Sequence, residues 1–250
     1  MSDLTDIAHR PWPLPRAPWT MTQVWHDLLF AHWRIPVAAM RAAVPEQLEL
    51  DLFEDRAWLG IVPFRMSGVR PRWMPPVPGL SAFPELNVRT YVTREGKPGV
   101  YFFSLDAHNS LAVAIARAWF NLRYYRARMS CEREASDPDG IRYSSVRTHS
   151  GAPSAELTGS YRPTGDVFRA RSGTLDHWLT ERYCLYAARP DGRTWRADIH
   201  HPPWPLQSAA AAFERNTMAR AHGFELPGEP PLLHFARRQD VVVWNPKRIE

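Results

Sequence analysis

The stretch 83–129, FPELNVRTYVTREGKPGVYFFSLDAHNSLAVAIARAWFNLRYYRARM, constrains the fold of this 250-residue chain more than any other. It reads as strand, tight turn, strand, short helix, strand. In its first strand Glu85, Asn87, Arg89 and Tyr91 fall at period two and share one face, while Leu86, Val88, Thr90 and Val92 share the other. A strand with one apolar face and one face of carboxylate, amide, guanidinium and phenol either meets bulk water or lines a polar cavity. The first alternative makes it scaffold; the second makes it a candidate active site.

The rest of the chain continues the strand-rich pattern. Residues 1–20 are rich in Pro, Arg and Trp and lack periodicity, so they read as an extended arm that packs through Trp12 and Trp19 onto a single domain, 21–250. Strands are predicted at 23–34, at 48–53 and 56–66 around Glu54-Asp55, at 123–131 and 141–148 around Asp137-Pro138-Asp139-Gly140, and at 156–162. Further strands are predicted at 182–188 and 194–200 across Pro190-Asp191-Gly192, and at 232–237 and 241–244. Pro36 opens a short helix, VAAMRAAV; Asn109 or Ser110 caps LAVAIARAWF; 174–179 forms a helical turn; and 206–221 reads as a longer helix ending at Gly223. The proline-rich segment 69–78 reads as a loop at a rim or lid. Many strands, few helices and no alternation of strand with long helix imply a mainly β (α+β) architecture, an antiparallel sheet or barrel.

Composition excludes several function classes. With 44% hydrophobic and 12% aromatic residues the chain can bury a sizeable core. The net charge of +5 is spread among acidic residues, and the nearest thing to a basic stripe is Arg117, Arg123, Arg126, Arg128 and Arg133. Without a basic patch or a nucleic-acid motif, no nucleic-acid partner is expected. No apolar run is long enough to span a membrane, and the N-terminus lacks the apolar core of a signal peptide, so a cytoplasmic location is expected. Cys131 and Cys184 fit no metal or redox spacing and read as free thiols. His200 and His201 are neighbours in a predicted strand, face opposite ways and cannot share a metal. HExxH, GxGxxG, P-loop and GxSxG motifs are absent, so neither a metal nor a cofactor is expected. Oligomeric state is not encoded in any pattern of the chain.

Several separated motifs carry a resemblance. WHDLLFAHWRIP, LELDLFEDRAWLGIVPFRMSGVRP, FPELNVRTYV, GKPGVYFFSLDA, TERYCLY and HHPPWPLQ, in that order over about 20–245, resemble the YqjF-like family DUF2071. That family is similar to the acetoacetate decarboxylase superfamily, which implies a curved antiparallel sheet closing into a barrel around a cavity, with a few peripheral helices. The resemblance places Glu85 on the superfamily's strand glutamate, Gly99-Val100-Tyr101-Phe102 on its second strand and Arg117 on its helix arginine. It places the decarboxylase's lysine pair on Tyr124-Tyr125. Only Lys97 and Lys247 are lysines, and neither falls on the motif. Tyrosine forms no imine and arginine is always protonated, so imine-based decarboxylation is excluded.

What remains is a set of polar residues, each with two readings. Glu85, Asn87 and Arg89 either bind and polarise a small carbonyl or carboxylate, with Glu85 as acid or base, or form a structural salt bridge on a barrel wall. Arg117, on an otherwise apolar helix, either clamps a ligand anion or pairs with Glu85 or Asp106. Tyr124 and Tyr125 point to opposite faces of a strand, so one of them enters a cavity, as oxyanion donor or as space-filler. Asp106 and His108 share a face, and Glu181-Arg182-Tyr183 reads as a salt bridge at a strand start. Two functions follow: a cofactor-independent enzyme working by acid–base chemistry on a small carbonyl or carboxylate, or a non-catalytic binder of a small organic anion.

Overall fold

The computed structural model of the protein describes residues 4–108, 122–188 and 192–249. Thirteen strands follow in order: β1 Met21–Ile35, β2 Glu49–Leu50, β3 Ala57–Pro71, β4 Phe83–Arg94, β5 Lys97–Ala107, β6 Tyr124–Arg133, β7 Ile141–Arg147, β8 Glu156–Pro163, β9 Cys184–Ala188, β10 Thr194–His200, β11 Gln207–Asn216, β12 Leu232–Val243 and β13 Lys247–Ile249. Helices α1 (Val37–Ala43), α2 (Leu175–Thr180) and a 3₁₀ turn (Arg220–His222) are peripheral. The predicted helix LAVAIARAWF, its caps and Arg117 lie outside the described residues.

Turn chemistry sets the strand order. Glu95 and Gly96 both take positive φ, the conformation of a tight hairpin turn, and they join β4 to β5 in the register Arg94↔Lys97. Antiparallel pairings then run from β4 to β3, β1, β12, β11, β8, β7 and β6, and a parallel pairing of β6 with β5 closes a nine-stranded barrel. A second ring shares one wall with the first. β9 pairs in parallel with β5, β10 pairs with β9, and Ile199 and His200 of β10 pair with Val243 and Val242 of β12.

The strands of that shared wall are buried on both faces. Leu29 and Ala31 of β1, Ile61 of β3, and Leu86 and Val88 of β4 point into the nine-stranded ring, where they meet Met129, Tyr143, Leu157 and Tyr161. The alternate residues point the other way: Leu28, Phe30, Val62 and Phe64 form an apolar cluster with Trp204 and Leu206. The polar face of β4 therefore meets a second interior, not bulk water: Glu85, Asn87 and Arg89 are all buried.

Four predicted elements differ. The segment 206–221 is not a helix; Ala209 to Asn216 pair with β8 instead. Alanine's helix preference is a weak prior, and here Ala209, Ala211 and Phe213 pack at alternate positions against the barrel core. Gly159 makes room for that pairing, since a Cβ there would stand 2.4 Å from the Ala212 carbonyl oxygen. The 48–53/56–66 hairpin reduces to a single bridge, Phe53↔Arg56, around Glu54 and Asp55, and β2 pairs with β4 instead. The two predicted C-terminal strands are one continuous β12, and β13 adds an edge the pattern did not mark. In the arm, the Trp12 indole donates to Asp198 and Arg72 stacks on Trp19.

Candidate functional site

The second interior holds a cavity of about 380 Å³. Period-two geometry brings Glu85, Asn87 and Arg89 of β4 to its wall, and Tyr124 reaches it from the start of β6. Tyr91, the fourth member of the file, lies one step beyond the lining, where its hydroxyl donates to the Leu179 carbonyl and meets His32 Nε2 at 2.6 Å.

Glu85 is 4% exposed and has no cation within ion-pair distance among the described residues. Its Oε2 accepts the Tyr124 hydroxyl at 3.0 Å. Burial penalises the carboxylate more than that bond helps it, and the nearby Asp106 adds to the penalty, so the Glu85 pKa is pushed up to about 8. Burial and the Glu85 charge hold Tyr124 well above the ordinary tyrosine range, so it stays a hydrogen-bond donor.

Arg89 is also buried without a carboxylate partner among the described residues. Its guanidinium lies 5.1 Å from the Phe30 ring, and Nη2 donates to the Leu179 carbonyl at 3.3 Å, but Nε has no partner. Asn87 Oδ1 is likewise buried and unpartnered. Such groups cost free energy unless something else satisfies them.

Two lining residues were missed in the sequence. Arg182 is not part of a salt bridge at a strand start: its ion pair is with Asp51, 131 residues away, and its guanidinium carbon stands over Trp178 at 4.4 Å and Tyr91 at 4.8 Å. Arg182 Nη2 is buried without a partner. Glu181 instead accepts from the Tyr183 hydroxyl and from the Trp204 backbone. His201 lines the cavity while His200 turns toward Arg10, as their adjacency in the chain requires. Burial lowers the His201 pKa. The motifs TERYCLY and HHPPWPLQ contained both residues, but no local period separated them from scaffold.

Three candidates fall outside the cavity. Asp106 is fully buried on β5 and bound by Arg147 through Nε at 2.9 Å and Nη2 at 2.7 Å, so its carboxylate is already satisfied. His108, expected beside it, is exposed. Tyr125 points away from Tyr124 and packs under the Arg147 guanidinium at 4.3 Å and against His149. Neither lysine lines the cavity: Lys97 lies over Trp12, and Lys247 is exposed on β13. Among the described residues no three His, Cys, Asp or Glu side chains gather as metal ligands, both cysteines are free, and no helix is long and apolar enough to cross a membrane.

Comparison with known proteins gives this geometry a context. The chain is 47% identical over 231 residues to the uncharacterized protein YqjF of Bacillus subtilis (strain 168), covering 92% of this chain and 93% of that one. Among solved structures it is similar to the acetoacetate decarboxylase of Legionella pneumophila, with a TM-score of 0.60 and 14% identity over 96% of this chain and 93% of that one. It is similar also to the enduracididine biosynthesis enzyme MppR in complex with the condensation product of pyruvate and imidazole 4-carboxaldehyde, with a TM-score of 0.62 and 11% identity over 93% and 90% of the two chains. At that identity the structural likeness establishes the fold, an acetoacetate decarboxylase-like barrel. Residues 22–240 match the model of DUF2071, described as an uncharacterized conserved protein, and the chain belongs to that family.

Proposed function

We propose that the chain is a cofactor-independent enzyme that moves a proton beside the carbonyl of a small carboxylate-bearing compound. The observation that carries this reading is Glu85, a buried carboxyl with a pKa of about 8 on the same strand face as the unpartnered Asn87 Oδ1 and Arg89 Nε. Near pH 7 about a tenth of such a group is ionised, enough to act as base, and the remainder can return a proton. Arg89 offers a fork for the substrate carboxylate. Glu85 then takes the proton from the carbon next to the carbonyl, the C–H electron pair becomes the C=C bond of an enolate, and the negative charge moves onto the carbonyl oxygen. Arg182 Nη2 is an unpartnered donor available to that oxygen. Returning the proton to carbon completes a turnover without an imine, consistent with a wall that lacks lysine. The fold neighbours include an enzyme solved with a pyruvate-derived ligand, which agrees with a small oxo acid as substrate.

One observation favours a second reading, a non-catalytic binder of a small organic anion. The Tyr124 hydroxyl is committed to Glu85, so it is not the oxyanion donor that the strand pattern suggested. A screen of small oxo acids for turnover separates the two. Turnover lost in Glu85→Gln and retained in Lys97→Ala supports the enzyme. Ligand-induced thermal stabilisation without turnover supports the binder. If neither appears, both readings fail.

A further inference from the structure

We infer that the ligand of this cavity is amphipathic: a 2-oxo carboxylic acid whose carbonyl head sits on the β4 wall and whose body is an apolar chain of several carbons. The inference rests on the acid-binding reading above and extends it to the part of the ligand that reading leaves undefined.

The distribution of unmet hydrogen bonds points to it. The buried, unpartnered polar atoms that line the cavity are Asn87 Oδ1, Arg89 Nε, Arg182 Nη2 and Trp204 Nε1, the last on an indole packed against His201. All four belong to the β4 wall or the end next to it. Elsewhere, among the described residues, no lining side chain carries a buried polar atom without a partner. Gln23 Oε1 accepts from the Trp25 indole, Arg70 donates to the carbonyls of Arg72 and Met74, and Ser81 Oγ accepts from the Val77 backbone. A ligand therefore finds buried, unmet hydrogen-bonding capacity at one end only.

The remaining surface is apolar. Ile199 of β10 and Val243 of β12 stand on the strands opposite β4 across a space of about 380 Å³, while Val62, Phe64 and Leu105 flank Asn87 and Glu85 as their cross-strand neighbours. That equals the liquid volume of about a dozen waters, whereas pyruvate or acetoacetate carries only about six or seven heavy atoms. A small oxo acid alone would leave most of this apolar space unfilled, and pockets of this size and lining generally bury a largely hydrophobic ligand held by a few polar groups. The mouth continues the same chemistry: Met74, Val77 and Leu80 line it and are 50%, 40% and 36% exposed, apolar side chains left in water beside an apolar cavity.

The test is a calorimetric titration of the full chain with pyruvate, 2-oxobutanoate, 2-oxopentanoate, 2-oxohexanoate and 2-oxooctanoate, repeated in Arg89→Met. Burying one methylene tightens binding about two- to fourfold, so 2-oxooctanoate should bind at least about thirtyfold more tightly than pyruvate. Arg89→Met should weaken every acid by a similar factor and leave the dependence on chain length intact. Ile199→Trp, on the strand opposite β4, fills the apolar side and should abolish that dependence while leaving pyruvate within about threefold; because this variant can misfold, the wild-type series decides alone if it does. A flat series still weakened by Arg89→Met overturns the apolar body and spares the head-group reading. A steep series untouched by Arg89→Met overturns the acid head, and with it the amphipathic acid. No saturable binding by any member overturns both.

Discussion

The wall built from β1, β3, β4 and β5 separates two interiors that treat buried polarity in opposite ways. On the nine-stranded side the space is packed by aromatic and aliphatic side chains, and the charges at its margin are paired: Asp106, fully buried, receives three hydrogen bonds from Arg147. On the other side the space is left open, and among the described residues two of the charged groups at its margin have no ion-pair partner: Glu85 has a single hydroxyl donor, and Arg89 has ring faces, the Tyr91 hydroxyl and one carbonyl. Both carboxyls stand on neighbouring strands, and for both burial is the largest cause of a raised pKa. What differs is the partner: burial raises both pKa values, but the Arg147 hydrogen bonds and charge oppose the rise at Asp106, whereas at Glu85 only the Tyr124 hydroxyl does and the pKa reaches about 8. Burial alone therefore does not make a residue a site; burial with hydrogen-bonding capacity left unmet, next to open space, does.

The largest test of the contrast is to remove one arginine from each side. Arg147→Met strands Asp106 as an uncompensated buried charge and should cost about 3–5 kcal/mol in urea unfolding. Arg89→Met strands nothing and should change stability by less than about 1 kcal/mol. Equal losses in the two variants would erase the distinction.

Next comes pH. The Glu85 pKa is raised on folding, so between the ordinary glutamate range near 4.5 and about 8 the folded state holds a proton the unfolded state has released. Its contribution is fully present below that window and is lost as pH rises through it. At about 1.4 kcal/mol per unit the loss over the whole window is about 5 kcal/mol. Glu85→Gln should remove this component, matching the wild type near pH 4.5 and exceeding it at pH 9 in the same denaturation assay. Parallel pH profiles for the two proteins would show that Glu85 titrates normally.

Packing offers a smaller, local comparison. Ile61 and Val62 are neighbours on β3, facing the filled and the open side respectively. Ile61→Phe should cost about 1–3 kcal/mol by overpacking, while Val62→Phe grows into free volume and should lie within about 0.5 kcal/mol of the wild type. Similar urea midpoints for both would mean that the open side is filled. Smallest of all is the tyrosine pair. Tyr124→Phe removes the one hydrogen bond that lowers the Glu85 pKa and should move its titration upward without unfolding the chain, whereas Tyr125→Phe, on the other face, should leave it unmoved.

Much of this arrangement could be read from local sequence. The period-two file placed Glu85, Asn87 and Arg89 on one face, because alternation is a property of the strand itself, and the Glu95-Gly96 turn fixed the partner strand. Tyr124 and Tyr125 had to diverge for the same reason. What could not be read depends on distant contacts. Asp106 looked available because its partner Arg147 lies 41 residues on, and Arg182 looked like half of a local pair because Asp51 lies 131 residues back. The alanine run of β11 favoured a helix until the β8 ladder claimed its backbone. Whether the polar face met water or a cavity depended on β9 and β10 closing the second ring, which no local pattern announces.

The central claim is that Glu85 is a neutral carboxyl facing an open cavity. The most direct measurement is a pH titration of the glutamate side-chain carboxyl carbons by ¹³C NMR, with Glu85→Gln to assign the resonance. One carboxyl should titrate near 8 and vanish in the variant. If every glutamate titrates below about 6, in the ordinary carboxylate range, Glu85 is ionised in the folded state and the account is contradicted.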